Sequence, residues 1–194
     1  MSIDLAFQNI IFIYIFCEVF MKKSIGIWSL WGFGVTALLG TLLHFLYEWT
    51  GESVLAAPFS AVNESTWEHM KLLFVPTFIF AIVQGIYFKD ESNFWCVKLR
   101  GTVLGLILIP ILFYTYNGVI GKSENWINIA IFFISAAVGF FYEFRAFKSG
   151  DVVCRAPKRA LFAFCFILAL FVLFTFRTPE IGIFKDPLSG VVGI

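Results

Sequence analysis

The chain has 194 residues, 60% hydrophobic and 14% charged, with a formal net charge of +1 and a mean hydropathy of +0.88. Soluble domains are near half apolar and a quarter charged, so this composition excludes a soluble globular protein and a basic nucleic-acid binder and points to an integral membrane protein. With spans of roughly 20 residues each, the length leaves room for five or six of them and for no separate soluble domain.

The first apolar run, residues 5–20, is short for a span and contains Gln8, Asn9 and Glu18, which are costly in hydrocarbon. Met21-Lys22-Lys23-Ser24 then has the form of a bacterial membrane-protein start. Residues 1–20 therefore read as either an N-terminal apolar extension or an extra helix, and no basic leader or small-residue cleavage site marks them as a signal peptide. Residues 21–194 read as one domain: an all-α, polytopic transmembrane helix bundle with spans predicted at 25–47, 70–88, 99–117, 125–146 and 159–177.

Placing Lys22 and Lys23 inside puts Lys89, Lys98, Arg100, Arg145, Lys148, Arg155, Lys158 and Arg159 on the same side. Only Lys71, Lys122, Arg177 and Lys185 fall on the other. The basic excess marks the first side as cytoplasmic, so the expected location is a bacterial plasma (inner) membrane with residues 40–72 and the tail after Arg177 outside.

Within the spans, Pro76 and Pro110 are expected to kink their helices, and Gly101-Thr102-Val103-Leu104-Gly105 fits the small-xxx-small pattern of close helix approach. Trp28, Trp49, Trp67, Trp95 and Trp126 lie near span ends, where an amphipathic ring prefers to sit. Glu143 reads as an interfacial carboxylate beside Arg145 and Lys148. Cys96 and Cys154 fall in links on the basic side and Cys17 and Cys165 in apolar runs, which predicts four reduced cysteines and no disulfide.

Both histidines and several carboxylates are concentrated in residues 40–72. His44 and Glu48 are one helical turn apart and share a face at the outer end of a span. Across a short link, Ser65-Thr66-Trp67-Glu68 is a capping box, with Asn63 as an alternative N-cap. Capping leaves Glu64, His69 and Lys71 unexplained. If the two helix mouths meet, His44, Glu48, Glu68 and His69 supply two imidazoles and two carboxylates, a set suited to zinc or another divalent metal.

Glu64 would then serve as general base toward a bound water, and Lys71 or Asn63 would stabilise developing negative charge. The competing reading is a hydrogen-bonded polar cluster that locks the helix ends or binds a polar ligand. Ser60 lacks the glycine-flanked elbow of a nucleophile. The tail, rich in turn formers but still apolar, is expected to fold back as an ordered cap that brings Asp186 toward the cluster.

His44-x-x-x-Glu48, the run Asn63-Glu64-Ser65-Thr66-Trp67-Glu68-His69 and the closing Phe184-Lys185-Asp186-Pro187 together resemble a family of small bacterial membrane proteins of unknown function. The resemblance covers about residues 21–194, leaves residues 1–20 outside, and implies that cluster and tail form one unit; it implies no reaction. The leading functional expectation is a metal-dependent, hydrolase-like membrane enzyme acting on a lipid or other amphiphile at the outer leaflet. The alternatives are a small-molecule binding or transport component and a structural membrane protein. Membrane lipid is the expected partner, and no phosphate loop or dinucleotide fingerprint is present.

Overall fold

In hydrocarbon every backbone polar group must be satisfied within the chain, so apolar runs of this length fold as helices. The computed structural model describes residues 2–194 apart from Asp90 and Ser123, with side chains described from Ile25 onward. Expectations that rest on the side chains of residues 1–24, Cys17, Lys22 and Lys23 among them, lie outside the described residues. The elements are α1 (Ser2–Trp49), α2 (Thr66–Tyr87), α3 (Phe94–Ile120), α4 (Asn125–Ser149), α5 (Pro157–Phe176) and a 3-10 turn, Gly182–Phe184. Among the described residues, five helices are long and apolar enough to cross a membrane, with Ile25–Trp49 as that part of α1.

Local chemistry sets the boundaries. The second helix begins at Thr66 rather than the predicted residue 70 because Ser65 caps it, its Oγ accepting the Glu68 N–H at 3.4 Å. The expected reciprocal contact is absent: Glu68 Oε2 accepts the Val62 N–H instead, at 3.0 Å. Both α3 and α4 stop at a glycine in the left-handed region, Gly121 (φ 79°) and Gly150 (φ 71°), a conformation that spares a side chain its usual clash.

Helix α2 is the most buried of the five spans and packs against α1, α3 and α5, while α4 closes the bundle against α3 and α1. The α3–α4 seam explains the small-residue pattern. A Cβ on Gly139 would lie 2.8 Å from the Gly101 carbonyl oxygen, and one on Gly105 would lie 3.0 Å from that of Ser135. The two backbones therefore approach as closely as glycine allows.

Glu143 is buried rather than interfacial. Its Oε2 lies 2.6 Å from Lys98 Nζ, and that ammonium also sits 4.9 Å from the centroid of the Phe140 ring. Neither Arg145 nor Lys148 is its partner, because residues two and five positions along a helix project away from its face. Of the tryptophans, Trp49 and Trp126 are exposed at helix ends as expected, but Trp67 is packed among Phe171, Phe174 and Phe184.

The cysteine expectation is overturned: Cys96 and Cys154 form a disulfide that ties the start of α3 to the α4–α5 link, 58 residues away in sequence. Their separation concealed the pairing, which depends on how that link crosses the helix end. Cys165 is free. For a loop of 58 residues, Cys96→Ser is expected to lower stability by roughly 2–4 kcal/mol, read as a lower unfolding midpoint in detergent that added reductant reproduces in the wild type.

Candidate metal centre

The link between α1 and α2 is fastened at both ends. After α1 the backbone turns through Gly51 and Glu52, both with positive φ (65° and 60°). Ser60, fully buried, then inserts its hydroxyl between two backbone groups of α1, donating to the Leu43 carbonyl at 2.6 Å and accepting the Tyr47 N–H at 2.8 Å. That contact gives Ser60 a structural role and leaves no proton for nucleophilic chemistry.

Residues 63–65 are held by the tail. Asn63 Oδ1 accepts the Ser65 N–H at 2.9 Å, its Nδ2 donates to the Gly193 carbonyl at 3.1 Å, and the Glu64 N–H donates to Asp186 Oδ2 at 3.3 Å. Tail and cluster are thus one unit, as the resemblance implies. With its backbone gripped from both sides, Glu64 projects between His44 on α1 and His69 on α2.

Glu64 Oε1 lies 3.7 Å from His44 Nε2, and Glu64 Oε2 lies 3.6 Å from His69 Nε2. Ligand atoms of these three residues all fall within 4.8 Å of one another, so the group can hold a metal ion. The two carboxylate–imidazole distances are too long for hydrogen bonds. Each imidazole faces a different oxygen of the same carboxylate, so the three side chains surround one point from three sides. His69 is oriented for this role, because its Nδ1 lies 3.0 Å from the Ser65 carbonyl. Nδ1–H donating there leaves the Nε2 lone pair directed at Glu64, the arrangement usual for a ligating imidazole. Two imidazoles and one carboxylate with an open fourth position match the ligand count of catalytic rather than structural zinc.

The three residues stand at the polar end of a cleft of about 430 Å³ between α1, α2 and α4. Thr41, Asn125 and Asn128 add polar groups, and Phe45, Leu72, Ile129, Phe132 and Phe133 form much of the remaining wall. Leu188 of the tail closes one side.

Of the residues expected at a metal, His44 and His69 meet here and Glu64, expected as a base, takes the carboxylate position. Glu48 is exposed beyond the group. Glu68 points the other way, its Oε2 2.6 Å from Lys71 Nζ, and Lys71 in turn donates to the Ala57 carbonyl at 2.7 Å and Thr175 Oγ1 at 3.1 Å. Lys71 and Asn63 are thus engaged in holding the link and the tail and do not face the cleft. Asn125 and Asn128 went unnoticed in the sequence; their spacing of three on the first turn of α4, facing the two histidines, was the available signal.

Asp186 secures the tail. Burial pushes its carboxyl up, but the N–H groups of Leu188, Ser189 and Glu64 outweigh that and hold it below its ordinary value of 3.8. A depressed carboxylate contributes stability that is complete above the unfolded value and is lost as the pH falls through the folded one. The tail is therefore expected to stay docked at neutral pH and to loosen only below about pH 3.8, and Asp186→Asn to expose residues 178–194 to protease at pH 7.

No curated protein and no solved structure matches this chain. A family model matches residues 17–194, and the chain accordingly belongs to the family of unknown function DUF6512.

Proposed function

We propose that the protein is a membrane-embedded metalloenzyme of the hydrolase type, acting on a lipid or similar amphiphile, with zinc or a like divalent ion held by His44, Glu64 and His69. The observation that carries this is the convergence of three ligand side chains at the polar end of an otherwise apolar cleft. The ion would supply a polarised water and a Lewis acid. Glu64 offers two oxygens, so one can coordinate while the other accepts a proton, and Asn125 can donate to a substrate oxygen.

Capture of an amphiphile without turnover is the second reading, favoured by one observation. Among the described residues, Glu64 is the only carboxylate lining the cleft, so no separate general base stands ready. The test is hydrolysis of a neutral long-chain acyl ester by the purified protein. Turnover that a chelator abolishes, zinc restores and Glu64→Gln lacks supports the enzyme. Metal bound without turnover of any ester supports capture.

For location, we propose a bacterial plasma membrane with the cleft on the outer face, resting on the basic excess at the opposite helix ends. The Cys96–Cys154 disulfide lies on that basic face and weighs the other way, since disulfides persist in oxidising compartments. A C-terminal alkaline phosphatase fusion is expected to be active; an inactive one reverses the orientation.

A further inference from the structure

The cleft is not sealed: part of its wall is exposed apolar surface. Phe45 on α1 and Ile129 and Phe133 on α4 line it while remaining 43%, 56% and 37% exposed. All three lie on helices long and apolar enough to cross a membrane, where an exposed apolar side chain would meet lipid. A flexible hydrocarbon chain in the bilayer can therefore slide between α1 and α4 without crossing water, and a polar head attached to it would arrive at Glu64, His44 and His69.

Charge decides what kind of head fits. No lysine or arginine is among the described residues that line the cleft, and phosphate groups are normally recognised by those side chains. Of the polar groups present, the Asn125 carboxamide can donate to an uncharged carbonyl, while Asn128 is held by the Tyr116 hydroxyl, which donates to its Oδ1 at 2.5 Å. Thr41 already donates to the Ala37 carbonyl at 2.8 Å, which leaves it as an acceptor and assigns donation to Asn125.

We propose that the cleft binds the chain of a neutral, carbonyl-headed amphiphile, a monoacyl ester or amide, entering sideways from the bilayer between α1 and α4, in preference to a phospholipid. The proposal rests on the functional reading above for what happens to the head, but the binding of the chain stands independently of any metal.

The test uses a monoacylglycerol whose chain carries a terminal diazirine, and a phosphatidylcholine carrying the same chain, each mixed into vesicles holding the full-length protein. After illumination, the labelled residues are located by mass spectrometry. In protein stripped of metal by a chelator, the neutral probe is expected to label Phe45, Ile129, Phe133 and their neighbours, about tenfold above the phospholipid probe, whose phosphate finds no lysine or arginine there. Ile129→Trp, or Thr41→Trp from the opposite wall, is expected to lose most of that labelling while keeping its metal.

Labelling spread evenly over lipid-facing positions such as Ile86 and Phe162, or equal cleft labelling by the phospholipid, would overturn the proposal. Glu64→Gln separates it from the metal reading: cleft labelling should persist while zinc is lost. Labelling confined to the cleft in a wild type that never binds zinc would sink the metal and leave the lipid site standing.

Discussion

Alanine at His69 is expected to remove the metal altogether. Wild-type protein purified with zinc should carry about one ion per chain, and His69→Ala, His44→Ala and Glu64→Ala should each carry close to none after dialysis, since a three-residue site left with two ligands no longer defines a coordination geometry. The comparison that gives this its force is Glu48→Ala. Sequence spacing nominates Glu48 as a ligand beside His44, whereas it stands exposed outside the group, so its removal should leave the zinc in place. Elemental analysis of the four variants beside the wild type decides the matter. A wild type without metal, or with metal that survives the loss of His69, would end the metal reading. The cluster would then be a polar lock between two helix ends.

The second large effect is expected at Lys71→Ala, at about 3–5 kcal/mol of stability, the usual consequence of leaving one member of a buried ion pair without its partner. Lys71 is fully buried and Glu68 almost so, and the ammonium also holds the Ala57 carbonyl and Thr175 Oγ1. One side chain therefore ties the link, α2 and α5 together, and its loss strands a carboxylate and a carbonyl at once. Removing both charges with Lys71→Met and Glu68→Leu should recover much of the loss, because a well-packed apolar pair avoids the cost of burying charge. Thermal unfolding in detergent measures both. Zinc content is the control: if Lys71 acts only through packing and the ion pair, the folded fraction of the variant keeps its metal. A Lys71→Ala protein as stable as the wild type would show that the pair contributes nothing.

The two expectations meet at a pair of neighbours in sequence, Glu68 and His69, and their divergence shows where sequence reading stops. Adjacent residues on a helix point about 100° apart. His69 faces α1 and α4 across the cleft, while Glu68 turns toward the link and α5. Nothing in their spacing tells which of the two looks into the cleft. That depends on how α2 is rotated within the bundle, where its side chains meet partners more than a hundred residues away, among them Thr175 and Phe171. For the same reason the meeting of Glu64 with the two histidines was not legible in the sequence. The direction of Glu64 is imposed by the tail, through the hydrogen bond from its N–H to Asp186 and the bond from Asn63 to Gly193.

Composition and hydropathy were enough for the all-helical class and for the five spans found among the described residues, because the penalty for unsatisfied backbone in hydrocarbon leaves few other solutions. The short-range signals were legible as well: Ser65 as a cap, Gly101 and Gly105 as a close-contact stripe, residues 40–72 as the stretch where ionisable groups gather. Each of these is decided within a turn or two of chain. The joining of Cys96 to Cys154, the partner of Glu143, the grouping of Glu64 rather than Glu48 or Glu68 with the two histidines, and the cleft with Asn125 and Asn128 along its wall were decided only in the tertiary structure. Each is a contact between elements far apart in the chain, and its existence depends on helix rotation and on the path of a link, quantities that local periodicity does not encode.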